Sequence, residues 1–323
     1  MKRLTLIIGI VFAVQMAWAG IHTYSEQSVL HEGNIIKVQV SETGVHMIPY
    51  DSLKSWGLKA EDVCILGYGG GMLSENFTMH HWDDLPSVAF YMHKGADNVF
   101  NSGDYILFYA QGPVQWNCTK NGVWTHTQNP YSQYGYYFVT DKAELQKQIT
   151  WSEDDYSGSF AVDVDWYTAY ALHEVDQVNL LDPTPDGSSG GGREFYGEMM
   201  NLKSKVLNVS IPMQNVRSDK NSRCLVTLAA NSGEATPIQI NFANTTSTCR
   251  VPAISVSDSF TKAVADSAIV SGKTSSTGAQ DVTLYFKSSV SGAVAYLNYI
   301  EINAPCDLIM VGDQMPISNT QCL

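Results

Sequence analysis

Apolar residues occupy every second position in the stretch DVTLYFK, residues 281–287. Val282, Leu284 and Phe286 therefore share one side of the segment. This period of two is typical of a β-strand with one face on a core and the other toward water. Several such strand-like segments, separated by Gly, Asn, Asp and Ser, predict an all-β protein of sandwiches or barrels. The segments are residues 35–40, 105–109, 136–140, 206–211, 224–228, 238–242, 282–286 and 294–302.

Helices are expected at only two places. Residues 51–56 begin with an acidic capping residue and end at Gly57, which is a typical pattern for a short helix. A second helix is expected over residues 142–149.

The length predicts two consecutive β-domains, because 323 residues correspond to about two domains at roughly 150 residues each. We place the first β-domain at residues 20–155 and a second, sandwich- or jelly-roll-like domain at residues 156–323. The boundary is set in residues 151–159, where acidic and small residues cluster. The loop-forming composition of residues 182–192 indicates an insertion rather than a boundary.

The composition excludes several classes of protein. Apolar residues make up 44% and charged residues 16% of the chain, which is not the composition of a disordered protein. Lysine and arginine total 19 against 32 acidic residues, a net charge of -13, so nucleic-acid binding is not expected.

The N-terminus has the layout of a secretory signal. Lys2 and Arg3 precede an apolar run over residues 4–14, and Ala17 and Ala19 stand where a signal peptidase reads small residues. We expect residues 1–19 to be removed after Ala19 and the chain to be exported. An uncleaved membrane anchor is the alternative, but the apolar run is short for a membrane span. No later stretch is long and apolar enough to cross a bilayer.

Export makes the cysteines relevant, because disulfides form in oxidising compartments. The six are Cys64, Cys118, Cys224, Cys249, Cys306 and Cys322. Cys224 and Cys249 lie in strands expected to be neighbours, so they are a candidate disulfide; buried free thiols are the equal alternative. None lies in a C-x-x-C pair, so no structural zinc site is expected.

Four local groups of residues contain types that occur in chemical sites, but none has the spacing of a known site. Residues 67–71 are glycine-rich after a strand over 63–66, but without a lysine and a helix they predict a tight turn rather than a phosphate loop. Residues 80–84 (HHWDD) contain metal-ligand types, yet a solvated loop is expected there. Residues 97–104 fail the calcium-loop spacing at Val99 and predict a hairpin turn. Residues 173–176 (HEVD) are not the two-histidine zinc motif.

The sequence contains no motif of a serine or cysteine nucleophile with its base. There is no G-x-S-x-G elbow, and no histidine follows His173 to pair with the later cysteines. We therefore assign no catalytic, cofactor-binding or metal-ligating residue and expect no cofactor.

An ordered set of motifs resembles one known family. The chain is similar to the N-terminal β-region of the type IX secretion sortases, which belong to the gingipain-like cysteine peptidases of Bacteroidetes. The matching motifs cover most of the chain from about residue 35 to about residue 315. They are residues 69–73 (GGGML), 99–113 (VFNSGDYILFYAQGP) with Trp116 after it, 136–140 (YYFVT), 173–176 (HEVD), 192–198 (GREFYGE) and 296–303 (YLNYIEIN).

The resemblance implies a protein of the outer membrane and cell surface that removes C-terminal sorting domains from exported cargo. It also implies a Cys–His peptidase domain after the β-region. No cysteine or histidine of this chain lies in a catalytic motif of that family, so the peptidase domain is absent and the chain is expected to be a fragment or truncated product. The motifs are interpreted as mainly structural; Arg193 and Glu198, for example, are expected to pair across a turn.

The leading hypothesis is the non-catalytic N-terminal part of such a sortase, which scaffolds the peptidase domain. Its expected partners are that domain and other outer-membrane components of type IX secretion. The alternative is a freestanding secreted β-sandwich module that binds a glycan or a protein through some of its 7 Trp and 17 Tyr residues. A metal-dependent hydrolase is a third, weaker option.

Overall fold

Regular structure is almost entirely β-strand, as the sequence predicts. A computed structural model describes residues 24–76, 78–79, 81–150, 163–180, 193–255, 261–274 and 277–319. The first ten strands are β1 (Ile36–Val40), β2 (Gly44–Pro49), β3 (Cys64–Leu66), β4 (Ser87–Val88), β5 (Phe90–His93), β6 (Tyr105–Ala110), β7 (Val114–Cys118), β8 (Trp124–Gln128), β9 (Gly135–Thr140) and β10 (Gln148–Ile149). The remaining strands are β11 (Trp166–Glu174), β12 (Met199–Asn201), β13 (Val206–Pro212), β14 (Ser222–Asn231), β15 (Thr236–Phe242), β16 (Thr245–Val251), β17 (Val264–Gly272), β18 (Ala279–Phe286) and β19 (Val294–Asp307).

The first sandwich consists of two four-stranded sheets, β1-β9-β3-β4 and β10-β5-β6-β2. Alternate residues of both sheets meet in one core that includes Phe90, Ile106 and Val139. The helix α1 (Tyr50–Ser55) covers one end of this core and buries Leu53 there. Strands β7 and β8 pair only with each other, as a hairpin outside both sheets.

The second sandwich pairs the sheet β11-β19-β14-β17, with β12 added beside β19, against the sheet β13-β18-β15-β16. Val282, Leu284 and Phe286 all point into its core, where they are at most 2% exposed. The period of two in residues 281–287 is therefore the alternation between the core and the outer face of β18. Within the described residues, every helix is too short or too polar to serve as a membrane span.

The short helix is confirmed, but its start differs from the expectation. The N-terminal cap position is Pro49, which supplies no side-chain hydrogen bond, and Asp51 lies in the first turn instead. Asp51 accepts a hydrogen bond from Ser102 Oγ at 2.9 Å. Gly57 ends the helix with φ of 77°, a conformation that costs glycine little.

The helix predicted over residues 142–149 is wrong. Only one 3-10 turn forms, at Ala143–Leu145, and β10 follows and pairs in parallel with β5. The side chain of Gln146 donates hydrogen bonds to the carbonyls of Glu61 and Val63 at 2.8 and 3.0 Å. These contacts and the strand pairing hold the segment extended, so tertiary structure overrides a weak helical propensity.

The turn prediction for residues 97–104 is confirmed. Residues 67–71 follow β3 as a loop that bends at 70–71, and the backbone N–H groups of Gly67 and Gly70 donate to the distant carbonyls of Pro86 and Gln111 rather than across a tight turn. Residues 97–104 lie in the turn between β5 and β6, where the carboxylate of Asp104 accepts hydrogen bonds from the backbone N–H groups of Gly95 and Asn101, each at 2.9 Å.

The HHWDD segment is not simply a solvated loop. His80 lies outside the described residues, but Asp83 accepts hydrogen bonds from Ser25 and Asp84 accepts one from the backbone of Val29. These carboxylates hold the segment before β1 against the first sandwich. No group of three His, Cys, Asp or Glu side chains in the described chain has a metal-binding arrangement.

The candidate disulfide between Cys224 and Cys249 is wrong. Cys224 lies in β14 and Cys249 in β16, which belong to opposite sheets of the second sandwich, and both thiols are free. Facing sheets pack about 10 Å apart, whereas the Cα atoms of a disulfide lie roughly 4.4–6.8 Å apart. Cys64, Cys118 and Cys306 are also free, and Cys322 lies outside the described residues.

We predict that Cys224 and Cys249 are both recovered as free thiols. Alkylation in denaturant without a reductant, followed by peptide mapping, should find both residues alkylated, because the opposite sheets keep them apart. Alkylation of the native protein should be slow at Cys224, since burial raises the pKa of this thiol to about 12. A peptide containing Cys224 linked to Cys249 would contradict the structure.

Candidate functional site: the junction of the two sandwiches

The β7–β8 hairpin leaves the first sandwich and lies on the outer face of β11, β19 and β14 in the second. Ile300 and Ile302 of β19 point into the sandwich core. Glu301 and Asn303 alternate with them and point toward the hairpin. The outer face of a sandwich normally meets water, yet Glu301 is 2% and Asn303 5% exposed. The hairpin thus forms a third layer that buries polar side chains.

Aromatic rings fill much of this contact. Trp116 of β7 stacks on Tyr170 of β11, with ring centroids 4.1 Å apart, and Trp124 of β8 lies 4.8 Å from the same ring. His126 meets Tyr299 edge to face at 4.5 Å. Pairs of this kind contribute about 0.5–1.5 kcal/mol each beyond their buried area.

The side-chain amide of Asn303 bonds both backbone groups of Trp124, as the backbone of a neighbouring strand would. Its amide Nδ2 donates to the carbonyl of Trp124 at 2.9 Å, and its Oδ1 accepts from the Trp124 N–H at 2.6 Å. The indole Nε1 of Trp124 also donates to the carbonyl of Thr168 at 3.2 Å. The buried backbone of the hairpin therefore finds its hydrogen-bond partners in the second sandwich.

A four-residue charge cluster lies under the hairpin. His126 Nδ1 is 3.0 Å from Glu301 Oε2, and the backbone N–H of His126 donates to the same oxygen at 3.2 Å. His126 Nε2 faces Glu174 Oε2 at 3.4 Å, and Arg223 Nη1 lies 3.5 Å from Glu301 Oε1. With His126 protonated, two cations face two carboxylates, which is the balance that buried charges require.

The electrostatics favour the protonated histidine. Burial alone lowers the pKa of His126, but the hydrogen bonds and charges of Glu174 and Glu301 outweigh burial and raise that pKa from 6.5 to about 9. Next to the cluster, burial and the charge of Glu174 raise the pKa of Asp176. At neutral pH the hairpin therefore contributes a buried cation to an acidic surface.

Polar contacts at the rim close the junction on two sides. Gln128 Nε2 donates to Asp176 Oδ2 at 2.6 Å. Glu75 of the first sandwich forms an ion pair with Arg193 of the second. Both pairs are solvent-exposed, so each contributes little alone, but they lie beside the buried cluster.

The segment after β19 returns to the first sandwich. The side-chain amide of Gln314 accepts a hydrogen bond from Val45 N at 2.7 Å and donates to Val45 O at 3.3 Å. Val45 belongs to β2, the last strand of its sheet, so Gln314 occupies backbone groups of an edge strand. Cys118 Sγ of β7 and Ser318 Oγ lie 3.2 Å apart in the same region.

Two motifs singled out in the sequence meet at the junction. In the HEVD motif, Glu174 contacts His126, and His173 Nε2 lies 2.8 Å from Glu198 Oε1. The expected pair of Arg193 with Glu198 is wrong, because Arg193 reaches across to Glu75 and Glu198 binds His173. Residue 192 of the GREFYGE motif lies outside the described residues.

Sequence reasoning did not single out His126, Trp124 or Arg223. Glu301 and Asn303 belong to the motif at residues 296–303, but the sequence does not mark them as site residues. A polar residue at every second position of a strand predicts a face that meets water. The available signal was the aromatic-rich β7–β8 segment, which carries Trp116 and Trp124 within a short stretch.

A separate cleft of about 770 Å³ opens on the first sandwich. Its floor is the outer face of β1 and β9, and its walls are the loops 68–75 and 129–134. We call it the tyrosine cleft. Its lining residues are Lys37, Tyr68, Gly69, Gly70, Gly71, Met72, Leu73, Ser74, Glu75, Leu85, Asn129, Tyr131, Ser132, Tyr134, Tyr136 and Phe138.

Close glycine packing fixes one wall of the tyrosine cleft. A Cβ at Gly70 would lie 2.7 Å from backbone atoms of both Gly112 and Gly135. Asn129 Nδ2 donates to the carbonyl of Gly70 at 2.8 Å and connects the two walls. The GGGML motif therefore serves backbone approach rather than phosphate binding.

We predict that His126 makes stability pH-dependent. Its pKa is higher in the folded than in the unfolded chain, so its contribution is fully present below pH 6.5 and is lost as pH rises through about 9. Between these values the wild type should lose about 2–3 kcal/mol of unfolding free energy from this group. Urea unfolding at both pH values measures the loss.

His126→Gln should reduce this pH dependence, while the matched control His31→Gln, at an exposed histidine, should leave it unchanged. The groups facing His126 are Glu301, Glu174 and, through Glu301, Arg223. Equal slopes in the wild type and His126→Gln would contradict the assigned cluster.

We predict that Asn303→Leu lowers the unfolding free energy by about 1–3 kcal/mol, because it leaves the buried N–H and carbonyl of Trp124 without their partner. The same exchange at the exposed Asn208 of β13 is the control and should have a much smaller effect. Chemical denaturation measures both; equal losses would refute the role of Asn303.

Comparison with known proteins gives one informative likeness. No protein-family model matches the chain, and no curated protein matches it. The crystal structure of dimeric latent PorU from Porphyromonas gingivalis is similar, with 25% identity and a TM-score of 0.75 over 93% of this chain. This chain spans only 27% of that PorU chain.

Two carbohydrate-active structures superpose poorly on this chain. The carbohydrate-binding module CBM36 in complex with calcium and xylotriose has 14% identity and a TM-score of 0.23, covering 42% of this chain and 98% of its own. Arthrobacter globiformis T6 isomalto-dextranase has 11% identity and a TM-score of 0.25, covering 83% of this chain and 34% of its own. Scores of this size carry no argument. The chain has a β-domain fold like that of a region of PorU.

Proposed function

We propose that the chain is the non-catalytic N-terminal β-region of a type IX secretion sortase and that it scaffolds the peptidase domain at the cell surface. The observation that carries the proposal is the single superposition on PorU over 93% of the chain at a TM-score of 0.75. A match of this extent includes both sandwiches together, so it supports a shared arrangement and not only a shared type of sheet.

The junction supports a scaffolding role. A scaffold must hold its parts at a fixed relative position, and the largely buried cluster of His126, Glu174, Glu301 and Arg223 connects the two sandwiches. Breaking one partner of such a buried group leaves an uncompensated charge, which is strongly destabilising. Under this proposal, the two sandwiches offer one rigid base to the peptidase domain.

Three buried thiols of the second sandwich fit a non-catalytic role. Burial raises the pKa of Cys224 to about 12 and the pKa of both Cys249 and Cys306 to about 11. A cysteine nucleophile reacts as the thiolate, so these protonated thiols are unreactive near neutral pH. Under this proposal, thiolate attack on cargo belongs to a peptidase domain outside this sequence.

The proposed role also implies a cellular location and a set of partners. The chain would be exported through a signal at residues 1–19, which lie outside the described part, and would act at the outer membrane. Its partners would be the peptidase domain and other outer-membrane components of type IX secretion. The alternative is a freestanding glycan- or protein-binding module, and no observation on this chain favours it over the sortase region.

We predict that cargo processing depends on this chain. In the bacterium that carries the gene, deletion of the coding region for residues 24–319 should cause exported cargo to keep its C-terminal sorting domain, as measured by immunoblot. The double variant His126→Ala/Glu301→Ala should cause the same defect in part, because the junction loses its central contact. The exposed-site control Lys54→Ala should process cargo normally. Normal processing in the deletion strain would overturn the proposal.

A further inference from the structure

The tyrosine cleft borders the junction through Glu75, whose partner Arg193 belongs to the second sandwich, but none of His126, Glu174, Glu301 and Arg223 lines it. Its lining is rich in the residue types that protein-recognising loops use: four tyrosines, three glycines, two serines and one asparagine. Tyrosine supplies a large, rigid contact area with a polar tip at a low cost in conformational entropy. Tyr131 is 71% and Tyr68 43% exposed, so both rings are available to a ligand.

The apolar part of the lining favours a peptide over an oligosaccharide. Met72, Leu73, Leu85 and Phe138 form an aliphatic and aromatic surface that suits an apolar side chain. Such a surface favours an apolar side chain over a sugar hydroxyl, because burial against it removes apolar area from water in the first case and strips water from a polar group in the second.

The polar side chains of the lining are largely engaged within the protein. Asn129 donates to the carbonyl of Gly70, and Ser132 Oγ donates to the carbonyl of Tyr134, each at 2.8 Å. Ser74 Oγ accepts a hydrogen bond from the backbone N–H of residue 76. The side chains left for a ligand are the Lys37 ammonium and the tyrosine hydroxyls, which suit one carboxylate and a few peptide groups better than a full ring of sugar hydroxyls.

The floor of the cleft carries a positive charge without a carboxylate partner in the described part of the chain. Glu75 is paired with Arg193, whereas Lys37 has no carboxylate partner within 4 Å among the described residues. The Lys37 ammonium lies 3.8 Å from the centroid of the Tyr136 ring and is held at the floor of the cleft by that ring. The chain as a whole has a net charge of -13, so the Lys37 ammonium is a local positive charge on an acidic protein. It is complementary to a carboxylate of a ligand.

The site is built before a ligand arrives. The backbone contacts of Gly70 with Gly112 and Gly135 fix one wall, and the hydroxyl of Tyr137 accepts a hydrogen bond from Gln111 N at 2.8 Å behind that wall. A preformed cleft of about 770 Å³ spends little ordering entropy on binding and lies within the size range of ligand sites.

We propose that the tyrosine cleft binds an extended peptide segment in which an apolar side chain is followed by an acidic residue. The apolar side chain lies between Tyr68, Tyr131 and Met72, and the carboxylate lies at Lys37. This binding activity goes beyond the scaffolding role and does not depend on it.

The test uses the full chain and defined probes in isothermal titration calorimetry. The acidic probes are capped hexapeptides with a leucine or tyrosine followed by an aspartate, and the basic probes carry lysine in place of that aspartate. Xylohexaose and maltohexaose represent oligosaccharides. The variants are Tyr131→Ala and Lys37→Gln, with the controls Tyr109→Ala and Lys54→Gln at exposed positions outside the cleft.

The acidic peptides should bind, and the basic peptides should bind at least about fivefold more weakly. Tyr131→Ala should weaken binding about tenfold, as expected for a central aromatic contact. Lys37→Gln should remove the preference for the acidic probes, and both controls should bind as the wild type does. Because Tyr131 is largely exposed, its removal leaves the fold intact, which circular dichroism verifies.

Three results would overturn the proposal. One is the absence of binding by any hexapeptide. Another is peptide binding that Tyr131→Ala leaves unchanged. The third is binding of an oligosaccharide in place of the peptides, which would assign the cleft to glycans. None of these results depends on cargo processing, so they are distinguishable from a failure of the proposed scaffolding function.

Discussion

The protonated imidazole of His126 between the buried carboxylate of Glu301 and the partly buried carboxylate of Glu174 is the interaction on which the arrangement of the molecule depends. Each sandwich has its own apolar core, so neither core determines where the other sandwich lies. The β7–β8 hairpin fixes the relative position of the two sandwiches. Its His126 cation contacts Glu301 and Glu174, and the backbone of its Trp124 bonds to Asn303, all on one sheet face of the second sandwich. Burial without these partners would be costly on both sides. The polar groups of the two sandwiches therefore find their partners in one relative position, in addition to the apolar contact between them.

Much of the fold could be predicted because most strands follow a period of two or form short apolar runs between turns. The alternation of Val282, Leu284 and Phe286 was sufficient to give both the strand and its buried face. The helix expected over residues 142–149 failed because hydrogen bonds from Gln146 and the pairing of β10 with β5 are tertiary contacts, which local propensity does not contain.

The junction was less accessible from the sequence for a related reason. A polar residue at every second position predicts exposure to water, and that inference holds only while nothing covers the sheet. Glu301 and Asn303 follow the pattern of an outer face, but the hairpin covers them, and only the position of His126 and Trp124 in space reveals it. The disulfide expectation failed similarly, because sequence separation and strand type do not tell which sheet of a sandwich receives each of Cys224 and Cys249.

The central claim is that His126 of the first sandwich and Glu301 of the second stabilise the protein through direct contact. A double-mutant cycle with His126→Ala, Glu301→Ala and the double variant measures this contact by urea unfolding at pH 6.5. The account predicts a coupling free energy of at least about 1 kcal/mol, since residues that share a buried charge contact are not additive. Additivity within about 0.3–0.5 kcal/mol, the behaviour of distant independent sites, would contradict it.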